Sequence, residues 1–347
     1  KKKDDQRKRK VLKSKRKLSI YTKEWRKMKK TWKRLVAGCL LAAMTLGVAG
    51  CGKGNDQQQA QEPVQQQQTE EPVTLNVMAM SGPTGMGMVK LMEDAEAGEL
   101  GDQYNIAIAG AADEINGKLI TGEVDIAALP CNVASVLYNK TKGDVEVAAI
   151  NTLGVLYILE KGDTIHSVAD LAGKTIVSTG KANTPEYVLN YLLSANGLDP
   201  QKDVTVEYKT EAAEIASAFQ QGQAEIAMVP QPVATTILAK NADVRTALDV
   251  TEEWTKAQGE DAHQLVTGVI VVRKAVAEEH PEAVQQFLTD YQASIDYINN
   301  NVEDGAALVE KFGIVPSAAI AQKAIPQCNI VYMDGQEMKD NVQAYLK

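Results

Sequence analysis

Histidine is scarce in this 347-residue chain, and the three present, His166, His263 and His280, stand apart from one another. None has a metal-ligand spacing such as HExxH, so no metal site is expected. The GxSxG nucleophile elbow, the GxGxxG dinucleotide fingerprint and the GxxxxGK(S/T) phosphate loop are missing as well. The expectation is therefore a protein without a cofactor and without catalytic residues. Basic residues are also scarce over most of the chain. Residues 1–50 hold 18 Lys/Arg against 3 Asp/Glu, whereas residues 51–347 hold 19 against 42. An acidic body repels phosphate backbones, which argues against nucleic-acid binding. Cysteine is limited to four: Cys39, Cys51, Cys131 and Cys328.

The apolar run Leu35–Ala49 has 15 residues. That is short for a helix crossing a hydrocarbon core of ~30 Å, but it suits the core of a signal peptide. Lys29, Lys30, Lys33 and Arg34 precede it, and Val48-Ala49-Gly50-Cys51 ends it. Small residues before a cysteine resemble the bacterial lipobox, in which the cysteine receives a diacylglyceryl group. Cys51 is the expected lipid site. Val36-Ala37-Gly38-Cys39 has the same tetrapeptide form, but almost no apolar run precedes it. Residues 1–27 read as an upstream or disordered basic segment, and 28–50 as the signal peptide. Residues 51–73, rich in Gln, Glu and Pro, read as a flexible tether, because they cannot bury enough apolar surface to offset the entropy of ordering. The implied place of work is the outer face of the cell membrane, held by a lipid anchor.

From residue 74 onward, strand and helix patterns alternate, which predicts an α/β body. Leu75–Met80 reads as a strand, Ser81–Gly87 as a turn, and the residues from Met88 as a helix. Lys174–Ser178 repeats the strand, Thr179–Thr184 the turn, and Pro185 suits the first turn of a helix. Residues 112–140 align without a gap to residues 212–240, with 10 identities in 29 positions. Each copy reads helix, Gly turn, strand, Pro loop, helix. An offset of 100 residues is too long for a solenoid and predicts two similar lobes. Ligands of open α/β sheets lie beyond the carboxyl ends of the strands, so facing lobes would form a cleft with matched loops.

The segments SGPTGMG, GEVDIAALPCNVA, DTIHSVADLAGKTIVSTG and GQAEIAMVPQPVA resemble the substrate-binding proteins of nitrate, sulfonate and taurine ABC importers, a class that includes binders of thiamine pyrimidine precursors. The resemblance covers about residues 74–347 and the lipoprotein head. It implies a two-lobed, type II periplasmic-binding-protein-like α/β fold that closes on a small polar or anionic organic solute and delivers it to an ABC permease. It implies lobe 1 over 74–157 and 267–347, lobe 2 over 158–266, and crossover strands at Val155–Leu159 and Val269–Val272, with Gly154 and Gly268 at the hinge. The expected protein is a monomer. Two alternatives are a binding lobe that serves a sensor and a pyrimidine-precursor-synthesising enzyme of the same fold, whose Cys-rich motif is missing here.

The candidate ligand residues follow from the two turns and the two Pro loops. Ser81, Gly82, Thr84, Gly85, Met86 and Gly87 supply hydroxyls and backbone N–H groups from one lobe. Thr179, Gly180, Asn183 and Thr184 supply the matching turn of the other. Asn132 and Gln231 follow the aligned prolines and are expected to bring amides to the cleft. Relatives often carry Glu where Gln231 stands, and that departure removes a charge. Cys131 and Cys328 read as two free, partly buried thiols, with a bridge between them as the alternative.

Overall fold

The structure is a computed structural model that describes residues 73–347 apart from 102, 182, 210, 211, 260 and 261. The segments 1–27 and 28–50, Cys51 and the tether up to residue 72 lie outside the described residues. No helix among the described residues is long and apolar enough to cross a membrane.

Eleven strands among the described residues form two sheets. In chain order they are β1 (Leu75–Met80), β2 (Tyr104–Ala109), β3 (Ile126–Pro130), β4 (Val145–Thr152), β5 (Leu156–Lys161), β6 (Thr175–Ser178), β7 (Thr205–Tyr208), β8 (Ile226–Pro230), β9 (Val244–Asp249), β10 (Gly268–Arg273) and β11 (Ile330–Met333). The first sheet has the order β11-β4-β10-β3-β1-β2 and the second the order β7-β6-β8-β5-β9. β1 runs parallel to β2 and β3, and β6 runs parallel to β7 and β8. One antiparallel strand completes each half: β10 lies between β3 and β4, and β5 lies between β8 and β9. The two sheets therefore share one five-strand plan, to which β11 adds an edge.

These central strands read as nearly unbroken apolar runs because helices cover both of their faces. Alternate residues serve opposite faces. In β10, Ile270 and Val272 enter one buried cluster while Val269 and Val271 enter another. In β5, Leu156 and Ile158 face one cluster, Tyr157 and Leu159 the other. The methionines Met78, Met86, Met88 and Met92 fill the core of the first sheet.

The 100-residue repeat is a structural repeat. Helix Ala112–Thr121, β3 and helix Cys131–Thr141 match helix Ala212–Gln220, β8 and helix Val233–Lys240. Gly122 and Gly222 are identical for a physical reason: both follow a helix at positive φ, 81° and 69°, where glycine has no Cβ penalty. The residue after each proline also behaves alike. Cys131 N–H donates to Thr267 O and Gln231 N–H to Val155 O, so each loop is pinned to a segment that passes between the sheets.

The expected crossover strands are placed differently. Val155–Leu159 and Val269–Val272 belong almost wholly to strands that pair on both sides within one sheet, and the adjoining segments 153–155 and 262–267 lie between the strands of the two sheets. Backbone groups that are all used inside one sheet cannot also bridge to the other. Gly154 and Gly268 do sit at these passages. A Cβ on Gly154 would strike Thr251 Oγ1, and one on Gly268 would strike Asn151 Oδ1, so close approach is one requirement that glycine meets at each.

Candidate functional site

Of the strand-to-helix junctions at the carboxyl ends of parallel strands, those after β1 and β3 in the first sheet and after β6 and β8 in the second carry the expected ligand residues. The structure brings two of the expected residues together directly. Asn132 Nδ2 donates to Asn183 Oδ1 at 2.6 Å, joining the junction after β3 to the junction after β6. Beside it, the Tyr345 hydroxyl donates to Thr184 Oγ1 at 3.3 Å. Helices Cys131–Thr141 and Thr184–Ala195 begin here without a side-chain cap. The Cys131 N–H is taken by Thr267 O, and at both helix starts the dipoles favour a negative or polar group.

The turn after β1 is more packed than its composition suggests. Pro83–Met86 is a single helical turn. Thr84 is 4% exposed, and its carbonyl accepts from Asn151 Nδ2, which also donates to the Tyr291 hydroxyl at 2.9 Å. Met86 is fully buried in the core, so its side chain is not presented to a ligand. Gly85 is glycine because a Cβ there would lie 2.6 Å from Met80 O; Gly87 packs against Ile295 and the Tyr291 hydroxyl. Ser294, on helix Pro281–Asn300, fixes the same turn by donating to Gly87 O at 2.6 Å and accepting from Leu91 N–H at 3.1 Å. Ser81, Gly82 and Pro83 are the half-buried residues of this turn, and the surroundings of Gly82, at φ 103°, are open. The accessible part of the turn is therefore Ser81, Gly82 and Pro83, over a platform made by Thr84, Gly85, Met86 and Gly87.

In the second lobe, Thr179 and Gly180 are half-buried, and Gly180 takes φ 76° with Pro185 against it. Ser178 Oγ donates to Met228 O and ties this turn to β8. Gln231, expected to bring its amide to the cleft, uses the amide oxygen within its own lobe. It is 4% exposed, and its Oε1 accepts from Thr235 N–H and from Thr235 Oγ1, capping helix Val233–Lys240. A neutral amide is well suited to that buried position, where a carboxylate would have to be desolvated.

Both cysteines are free and buried. Burial pushes each thiol up to about 12, so both stay protonated near neutral pH and neither is a ready nucleophile. Among the described residues no group of His, Cys, Asp and Glu is placed to hold a metal ion.

The family described as "ABC transporter, phosphonate, periplasmic substrate-binding protein" matches residues 92–324. The chain belongs to this family. Solved structures repeat its architecture. An ABC transporter protein from Parabacteroides distasonis superposes with a TM-score of 0.65 at 22% identity, over 79% of this chain and 90% of that one. The periplasmic aliphatic sulphonate binding protein SsuA of Escherichia coli does so with 0.64 at 19% identity, over 79% and 90%. The periplasmic nitrate-binding protein NrtA of Synechocystis PCC 6803 gives 0.55 at 14%, over 79% and 80%. At these identities the likeness is one of fold. The binding protein YtlA of Bacillus subtilis (strain 168) is 25% identical over 142 residues, which is 40% of this chain and 42% of that protein.

In this binding-protein family member, a cavity of about 750 Å³ opens beside the Asn132–Asn183 junction. Asn132 and Thr184 line one part of it, and Tyr187, Tyr191, Trp254, Tyr345 and Lys347 are among the residues that line the rest. Sequence reasoning missed these four aromatics. Part of the signal was there, since Tyr187 and Tyr191 are four residues apart and must share a helix face. The other two come from helices Val250–Gln258 and Gly335–Tyr345, which no local pattern links to that face. Another cavity, of about 480 Å³ between Asn76, Tyr104 and Lys118, lies at the amino ends of β1 and β2, away from the junctions.

Proposed function

We propose that this protein is the extracytoplasmic solute-binding component of an ABC importer. It holds a small polar or anionic organic solute between its two lobes and passes it to a permease. The observation that carries the reading is the contact of Asn132 with Asn183, because it joins ligand-type strand ends of both sheets at one point. Family membership supports the transport role, and the names of the sulphonate- and nitrate-binding structures suggest an oxyanion head group. Uncapped helix starts from both lobes suit such a head without any arginine. Ser81, Gly82, Thr179, Gly180, Asn132, Asn183 and Thr184 form the proposed contact set. The protein works as a monomer, converts nothing chemically, and is held at the membrane by lipid on Cys51.

Two linked measurements test this. Mass spectrometry of gently purified full-length protein should identify a co-purified small molecule. That molecule at 100 times its Kd should raise the stability of the fold by ~2.7 kcal/mol in a thermal-shift assay. A protein that carries no small molecule, and that gains no stability from phosphonates, sulfonates, nitrate or heterocyclic solutes, would refute the proposal.

A further inference from the structure

We propose that the aromatic cavity beside the Asn132–Asn183 junction receives a planar ring of the solute, so that the cargo is an aryl or heteroaryl compound with a polar head. The inference rests on the solute-binding reading above and narrows its substrate class. Size is the first argument. An inorganic oxyanion fills only a few water volumes of about 30 Å³ each, whereas the cavity of about 750 Å³ falls in the range of organic-ligand sites.

Chemistry is the second argument. The Tyr191 and Trp254 rings lie 4.7 Å apart and those of Trp254 and Tyr345 6.2 Å apart, in tilted pairs. Tyr345 packs against the buried clusters of both sheets, so this wall spans the lobes. The indole N–H of Trp254 is already bonded to His263 O and the residue is 9% exposed, so what it shows the cavity is a small part of its ring beside Tyr191 and Tyr345. Tyr187 is 60% exposed although it stands on a regular helix in a folded body. Flat rings prefer offset or edge-to-face partners of this kind.

Charge is the third argument. No described residue lining the cavity is an Asp or Glu, although the body is strongly acidic. Lys347 is the one charged side chain among the described residues that line it, so a neutral or anionic compound is favoured over a cationic ring. Asn132 and Thr184 place amide and hydroxyl groups at the end that adjoins the uncapped helix starts. The arrangement orders a ligand as polar head, then ring.

The test uses pairs of probes that share a head: phenylphosphonate against methylphosphonate, and benzenesulfonate against methanesulfonate. The full chain carries Trp25→Phe and Trp32→Phe, which leaves Trp254 as its one indole fluorophore. The ring-bearing member of at least one pair should bind about ten-fold tighter or more, and should change the Trp254 emission. Tyr187→Ala should lower ring-probe affinity about three- to ten-fold without altering the methyl probe, and Tyr187→Phe should restore it. The thermal midpoints of the variants confirm that each is folded. Equal affinity within each pair would overturn the ring assignment and leave the polar site standing. Ring preference that persists in both Tyr187→Ala and Tyr191→Ala would place the ring elsewhere. Failure of all four probes to bind would overturn both this assignment and the oxyanion-head reading beneath it.

Discussion

Gly268→Ala tests the packing beneath the site. A Cβ at this position would meet Asn151 Oδ1, with Thr84 Oγ1 at 2.9 Å and Thr152 Oγ1 at 3.0 Å. The Asn151 carboxamide cannot swing away freely. Its Nδ2 is bonded to Thr84 O and the Tyr291 hydroxyl, and its Oδ1 accepts from Thr152 Oγ1. All four residues are buried, so displaced polar groups would find no water. Overpacking of this kind costs about 1–3 kcal/mol, with a similar further cost if one buried hydrogen bond is lost. At about 2–4 °C per kcal/mol, the thermal midpoint should fall by roughly 2–12 °C, and by up to about twice that if the hydrogen bond is lost as well. Gly117→Ala is the matched control. It lies inside helix Ala112–Thr121 with open space where its Cβ would stand, so it should stabilise by about 0.5–1 kcal/mol. Scanning calorimetry on both variants decides the matter. An unchanged midpoint in Gly268→Ala, or a comparable fall in Gly117→Ala, would refute the reasoning.

Glu160 gives a pH prediction. Burial pushes its carboxyl up, but hydrogen bonds from Thr164 and Ile165 and the charge of Arg245 outweigh that and hold it below its ordinary value of 4.5. A depressed carboxylate stabilises the fold fully above the unfolded-state value and loses that contribution as pH falls through the folded one. Glu160→Gln should therefore be less stable at pH 7, by about 1.5–3 kcal/mol, and its stability should fall less than wild type below about pH 4.5, as read from denaturant midpoints. Asn132→Ala removes a cross-lobe bond worth about 0.5–1.5 kcal/mol, so ligand-free protein should show a larger radius of gyration in small-angle scattering. An unchanged radius would mean that lobe closure does not depend on that bond. Cys51→Ala should abolish incorporation of labelled lipid, while Cys39→Ala should leave it intact; the reverse result would move the anchor.

The repeat was legible because its identities mark positions with strict demands: Gly122 and Gly222 at positive φ, Ile115 and Ile215 in buried helix faces, Ala134 and Ala234 against the sheets. The expectation of two similar α/β lobes followed from it. The hinge was less legible. A buried antiparallel strand and a crossover strand are both short apolar runs, and only pairing distinguishes β5 and β10 from the passages beside them. That Asn132, Asn183 and Thr184 stand at strand-to-helix junctions could be read from their place after strands. The role of Thr84, Met86 and Gly87 could not, because their neighbours Tyr291 and Ser294 lie about two hundred residues away. Gln231 looked like a free amide because nothing local announces that its oxygen turns back to Thr235.

The paired bonds from Cys131 N–H to Thr267 O and from Gln231 N–H to Val155 O give each passage between the lobes its own exchangeable proton. Each proton stays protected only while its passage holds against the neighbouring Pro loop. Deuterium uptake at these two amides thus acts as a pair of independent clocks, one per passage. Equal rates would describe a rotation shared by both connections, and unequal rates would reveal one connection that yields before the other.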